Sequence, residues 1–360
     1  MFWIWLGFIL FVLLMLALDL GVFHRHAHVV TVKEALVWSA IWVSLGVAFS
    51  GFVYIGYENQ WQGLGVAPDP VSGKPNDGLD ATIKYLTGYV VEKSLSVDNI
   101  FVIAMIFGFL AVPPLYQHRV LFWGILGALA MRGAMIAIGA ELIARYHWIL
   151  YLFGVLLIAT AIKMLVVREH SDPTQNFVVR WTRRLLPVTD RFYGERFFVR
   201  AGSAVSSEGQ ALGESPLADK AARQAKAGAL MLTPLALALI LVETTDLIFA
   251  VDSIPAIFAV TADPFLVFTS NVFAILGLRS LYFALAGMMD KFRYLKISLA
   301  TVLLVIGLKM LLATQLKDAI GPGFNLYLLM VVLAILATGI LASVWTGPMV
   351  EDVAEENKML

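Results

Sequence analysis

The sequence contains no cysteine. Disulfides, thiolate zinc sites and cysteine-ligated iron–sulfur clusters are excluded, while the redox compartment stays open. Charge is scarce as well: Asp, Glu, Lys and Arg make up 14% of the 360 residues, against roughly a quarter in soluble domains. The net charge is zero, so bulk charge points to no nucleic-acid partner. Neither an HExxH zinc motif nor a nucleotide-binding motif is present, which argues against an intramembrane hydrolase and an ATP-driven pump. The expectation is a protein that is not an enzyme and holds no permanent cofactor.

Apolar residues fill the space that charge vacates, at 60% of the chain. Such a chain cannot cover its own surface in water. Nine runs are long enough to span a bilayer as helices: Phe2–Leu20, Ala35–Tyr57, Thr82–Val112, Val120–Ala140, Trp148–Val167, Ala229–Val260, Phe265–Met289, Leu295–Ala313 and Phe324–Trp345. Backbone in a bilayer must satisfy its own hydrogen bonds, so continuous apolar runs read as helices rather than barrel strands. The fold expected is an all-α polytopic membrane protein. The first run lacks a basic leader and a clear cleavage site, and reads as a retained span.

Basic residues orient the chain. Lys74, Lys84, Arg145 and Lys317 fall on one side; 17 of the 26 Lys and Arg fall on the other, ten of them in the loop Arg168–Gly228. Without that loop the split is 4 against 7, which places the N-terminus outside and the long loop and C-terminus in the cytoplasm. Within the loop, Arg168–Arg200 is basic and aromatic, with surface helices expected, and Ala201–Gly228 reads as a flexible linker. The tail from residue 347 to 360 is polar.

The chain also repeats itself. Glu92 precedes Pro113 by 21 residues, as Glu243 precedes Pro264. Each half then carries Ile-Leu-Gly followed by an arginine, Arg132 or Arg279, and ends in Lys-Met-Leu at Lys163 or Lys309. The units cover residues 82–167 and 229–313, after two N-terminal spans in residues 1–58 and before a last span at 324–346. Three spans per unit turn the second copy over, the inverted arrangement of many secondary transporters, whose site lies at the repeat interface.

The charges inside the runs are few and costly. Glu92, Lys93 and Asp98 lie in the third; Glu243, Asp246 and Asp252 lie in the sixth. A charge at bilayer depth costs at least ~2.5 kcal/mol on insertion scales and marks an ion path more often than not. The competing reading is a set of structural ion pairs with Lys93, Arg132 or Arg279. Five acids against those three cations leave an excess that a bound cation would balance. The donors are oxygens: the carboxylates, the amides of Asn99 and Asn271, and hydroxyls including Ser253. No histidine lies in either run, so a hard divalent ion such as Mg, Ca or Mn is favoured over zinc or copper, with protons as an alternative. Glu92 to Asp98 and Asp246 to Asp252 are both six residues, about 120° apart on a helix, so one straight helix cannot aim both at one ion. Pro255 suggests that the sixth run opens and frees the Val251 carbonyl. His24, His26 and His28, after Asp19, read as a basic-end anchor or a metal-collecting patch.

At EKSLSVDNIF and ETTDLIFAVDSIPAIF, and through DPF and TSNVFAILGLRSLYF, the sequence closely resembles the TerC family of bacterial integral membrane proteins, its Alx-type members included. The likeness runs from ALDLGVF near the N-terminus to GLKML at Lys309. It implies a family associated with manganese export and tellurite resistance, grouped with LysE-type exporters, in the bacterial inner membrane. It also implies that Glu92, Asp98, Glu243, Asp246 and Asp252 are intramembrane metal-path residues, with Asn99, Ser253 and Asn271 at neighbouring motif positions. The residues themselves give Lys93, Arg132 and Arg279 the role of tuning charge. The expected partners are the lipid bilayer and a divalent metal ion, Mn²⁺ first, with a homo-oligomer allowed. The alternative is a membrane scaffold or assembly factor linked to metal or tellurite stress.

Overall fold

The apolar runs fold into helices whose starts are written in the sequence. A computed structural model describes residues 1–21, 31–166, 182, 187–189, 191–200, 229–285, 294–313, 315–316 and 324–346. The helices are α1 (Phe2–Gly21), α2 (Val32–Glu58), α3 (Gly78–Phe109), α4 (Pro114–Arg145), α5 (Trp148–Val166), α6 (Pro234–Phe258), α7 (Pro264–Ile275), α8 (Leu278–Leu285), α9 (Leu295–Leu311) and α10 (Phe324–Thr346). Thr31, Asp77, Thr233 and Asp263 cap α2, α3, α6 and α7 by accepting from backbone N–H groups of the first turn. Proline follows the cap in α6 and α7, where its missing N–H costs nothing.

Among the described residues, six stretches are long and apolar enough to cross a membrane by length and composition: α2, α4, α5, α6, Pro264–Leu285 and α10. The chain is an all-α polytopic membrane protein, with one small addition. Strands β1 (Phe198–Arg200) and β2 (Leu230–Leu232) form an antiparallel ribbon in register Phe198 with Leu232. The surface helices expected over Arg168–Arg200 are therefore not what its last residues form. Asp19's side chain, His24, His26, His28, Ala201–Gly228 and the tail lie outside the described residues.

The expected helix opening is misplaced. α6 runs unbroken through Pro255, and α3 is continuous over its 32 residues. The break falls instead in the seventh run, between α7 and α8. Gly277 there has φ +82°, a left-handed conformation that favours glycine, and a Cβ on it would lie 2.7 Å from the Cβ of Trp42. The backbone of α2's neighbour can approach that closely only because the side chain is missing.

Contacts at the helix ends sort them into two groups. The Thr233 hydroxyl at the start of α6 donates to the Arg196 carbonyl, and Arg119 near the start of α4 pairs with Glu195, so these ends meet the long loop. At the opposite end the Met1 ammonium donates to the Gln62 carbonyl, and the Thr261 hydroxyl after α6 donates to Asp69. Packing between the two halves is reciprocal: α3 against α7, α4 against α6, and most extensively α5 against α9. At that last contact a Cβ on Gly154 would sit 3.2 Å from the Gly307 carbonyl oxygen, and one on Gly307 2.9 Å from that of Gly154. Small residues let helices approach where lipid supplies no hydrophobic drive.

Candidate functional site

Arg132 of α4 reaches the middle of the bundle, where acids from two different helices meet it. Its Nη2 and Nε donate to both carboxylate oxygens of Asp246 on α6, at 2.8 and 3.2 Å. Its Nη1 donates to Glu92 of α3, to the Asn271 side-chain oxygen of α7 at 3.0 Å and to the Ser253 hydroxyl at 3.4 Å. Asn99 adds an amide to Asp246 at 3.2 Å, and Asn271 one to the other oxygen of Glu92 at 3.4 Å. Glu92, Arg132, Ser253 and Asn271 are each at most 3% exposed. The planar fork of a guanidinium suits such bidentate contact. One guanidinium stands here between two carboxyl groups, in a setting where charge is poorly screened.

Six of the residues singled out from sequence thus come together: Glu92, Asn99, Arg132, Asp246, Ser253 and Asn271. Asp252 does not join them. It faces α5, where the Thr160 hydroxyl donates to it at 2.9 Å, as the six-residue spacing requires of an unbroken helix. Glu243 rests against α4 at Gly127, where a Cβ would overlap its carboxylate, and its Oε2 is buried without a hydrogen-bond donor. Asp98 lies half-buried on α3. Lys93 donates to the Ala274 carbonyl at 3.1 Å, near the C-terminus of α7, a backbone contact that the sequence pattern did not anticipate. Arg279 lies on α8 beside Gly277, away from the position that Arg132 holds. The hydroxyls of Ser94, Ser96, Thr244 and Thr245 donate to carbonyls four residues back, which leaves their oxygens only as acceptors. Among the described residues, no three His, Asp or Glu side chains gather in a group that could hold a metal ion by themselves. The carboxylate pair is instead occupied by Arg132.

A second polar cluster, unmarked by spacing, closes the end opposite the long loop. Lys84 pairs with Asp69 at 3.0 Å and with Asp80 at 2.7 Å, and its ammonium also meets the Asn76 side chain. Asp69 in turn accepts from the Thr261 hydroxyl at 2.6 Å and the Ala262 N–H at 3.0 Å. Tyr57 donates to Asp263 at 2.8 Å, and Asn325 of α10 to Asp80 at 3.0 Å. Burial alone would raise the Asp69 carboxyl, but Lys84, the Thr261 hydroxyl and two backbone N–H groups outweigh it and hold the group below the usual carboxylate range. Burial pushes Asp263 the other way, with Asp69 adding to it. Because Asp69 titrates lower in the fold than in the unfolded chain, its stabilisation is complete above the unfolded value. It is lost only as pH falls through the folded one. Asp69→Asn is therefore expected to cost on the order of 3 kcal/mol, equally at about pH 8 and about pH 5, with the penalty shrinking only at more acid pH. Melting in detergent across that range reads it.

Next to Asp246 a cavity of about 20 Å³ lies between α3, α4 and α6, room for about one water. Its wall is polar at Ser96, Asn99 and Thr245 and apolar at Ile103, Leu121 and Leu278. These apolar residues belong to the cluster around Phe107 and Tyr282, against which Val188, Phe192 and Phe197 of the long loop pack. The cavity thus extends from the cage toward the long-loop end.

A family model described as the integral membrane protein TerC family matches residues 77–350. The chain belongs to the TerC family. A TerC relative from Myxococcus xanthus, named as an uncharacterised membrane protein, is 49% identical over 315 residues, 87% of this chain and 85% of its own length. The Escherichia coli K12 protein named "Putative membrane-bound redox modulator Alx" is 45% identical over 311 residues, 86% of this chain and 85% of its own. An uncharacterised membrane protein of Rickettsia bellii is 38% identical over 306 residues, 85% and 86% of the two chains. No solved structure matches the chain. The TerC match covers α3 to α10, and so both acids of the cage and the arginine between them.

Proposed function

We propose that this TerC protein carries a hard divalent cation, manganese first, across the bacterial inner membrane by alternating access, with the long loop cytoplasmic and transport directed outward. The observation that carries the reading is the convergence of Glu92 and Asp246, from the two halves of the chain, on one buried guanidinium. If the guanidinium withdraws, two carboxylates, the Asn271 amide oxygen and the Ser253 hydroxyl face the same space, an oxygen set suited to Mg, Ca or Mn. Arg132 then acts as a tethered counter-ion that keeps the empty cage from standing with two unpaired charges. The reciprocal packing of α3–α7 and α4–α6 supports an inverted repeat about an axis through the cage. Manganese and the outward direction come from the family resemblance. The chain, lacking cysteine, brings no thiol chemistry of its own to the redox role in its relatives' name.

The closed cage also favours a second reading, a scaffold in which Arg132 is a permanent ion pair. Flux separates the two. Purified protein in liposomes is expected to move Mn²⁺, with Mg²⁺, Ca²⁺ and Zn²⁺ as competitors. Glu92→Gln and Asp246→Asn are expected to lower that flux more than about tenfold, the cost of roughly 1.4 kcal/mol or more at the barrier. Asp252→Asn, aimed at Thr160, should stay within about threefold of the parent protein. No flux from the parent protein leaves the scaffold, and equal flux in all three variants removes the cage from the ion's path.

A further inference from the structure

We propose that the two ends of the bundle are unequal gates, the long-loop end yielding first, so that the cation reaches the cage from that side and the opposite end is the tightly latched exit. The inference rests on the transport reading and adds which residues set the order.

The latch at the opposite end is buried throughout its core. The side chains of Lys84 and Asp69 are both 0% exposed. Through them the α2–α3 connection is tied to the turn between α6 and α7, at Thr261 and Ala262, and Asn325 ties α10 to Asp80. Opening here would leave buried donors and acceptors unpaired, which costs far more than the same bonds gain in net stability.

The long-loop end is held by neutral hydrogen bonds, the Thr233 hydroxyl to the Arg196 carbonyl at 2.7 Å and Tyr282 to Gln117 at 3.1 Å, and by a part-exposed ion pair. Arg119 and Glu195 pair at 3.0 Å with side chains 36% and 40% exposed, so water replaces each partner readily. The Arg119 guanidinium also lies 5.2 Å from the centre of the Phe197 ring. The cavity wall that packs in the same cluster as Phe197 is formed by Ile103, Leu121 and Leu278, apolar side chains that have no polar group of their own to strand as they part. A bundle with one gate of buried ion pairs and another of apolar walls and a half-exposed pair opens at the second.

The absence of cysteine makes the test direct, because an introduced thiol is the sole one. Ala128→Cys places it in the cavity wall, and Ser96→Cys is a near-isosteric second reporter on another helix. A membrane-impermeant maleimide is applied to sealed vesicles of either orientation, with Phe198→Cys, at an exposed position of β1, marking the long-loop side. Both reporters are expected to react at least about tenfold faster from the long-loop side. Adding Glu195→Gln should speed that reaction about two- to fivefold. Adding Asp69→Asn with Lys84→Met, which leaves only the part-exposed Asp80 carboxylate without its cation, should admit reagent from the opposite side. Faster labelling from the opposite side, or a Glu195→Gln rate equal to its parent, overturns the proposal. Labelling needs no metal, so the gates are read out even where the flux assay fails.

Discussion

Arg132→Met is expected to leave a protein that melts far below its parent in buffer and recovers several degrees when Mn²⁺ is added. The substitution removes the one cation that touches both Glu92 and Asp246 and leaves two carboxylates facing each other at the bundle centre. Stranding a buried charge in this way costs about 3–5 kcal/mol. A divalent ion that enters the vacated space restores neutrality, and by linkage a ligand at one hundred times its dissociation constant returns about 2.7 kcal/mol. The parent protein should shift less with Mn²⁺, because the ion must first displace the guanidinium. Arg132→Met combined with Glu92→Gln and Asp246→Asn removes the charges altogether. It should melt above the single variant and ignore Mn²⁺. If the single variant melts at the same temperature with and without Mn²⁺, the cage is not a cation site, whatever the flux data say.

Gly277→Ala should be strongly damaging, and its damage should be shared with Trp42. Two costs add at this position. A left-handed backbone charges a residue bearing a Cβ roughly 1–2 kcal/mol. The new Cβ would also meet Trp42 Cβ at 2.7 Å, an overlap that a packed interior resolves for about 1–3 kcal/mol more. Trp42→Ala by itself is expected to cost about 3–5 kcal/mol through the cavity it opens. The double variant should cost less than the two added together, because the overlap with the indole ring, at 2.8 Å from Cγ and 3.0 Å from Cδ1, is gone while the Cβ contact and the backbone cost remain. Strict additivity in denaturation midpoints would show that the two residues do not compete for one space. The position matters for the site because the break at Gly277 ends α7 and leaves the Ala274 carbonyl to the Lys93 ammonium.

Much of the molecule could be read without coordinates. The apolar runs announce helices because nothing else is stable in hydrocarbon. Thr31, Asp77, Thr233 and Asp263 announce where several of them begin. The membrane class and the family follow from the same reading, but the metal path it drew through Glu92, Asp98, Asn99, Glu243, Asp246, Asp252, Ser253 and Asn271 also took in Asp252, which meets Thr160, and Glu243, which rests at Gly127. The six-residue spacing even forbade Asp252 from sharing a site with Asp246 on a straight helix, and the unbroken α6 honours that rule. Pro255 misled because proline removes one hydrogen bond without obliging the helix to open; α6 continues through it. The real break depends on Trp42 pressing against Gly277 from another helix, which no local pattern records.

Sequence alone determined that this chain lives in a membrane as helices, since hydropathy and backbone hydrogen bonding are properties of each segment by itself. Tertiary structure decided that Arg132 rather than Lys93 sits between Glu92 and Asp246, and that Lys84, Asp69 and Thr261 close one end. Pairings of that kind join residues 15 to 192 positions apart. A charge in the bilayer takes whichever partner the packing of α3, α4, α6 and α7 brings within reach, and the chain between them carries no trace of that choice.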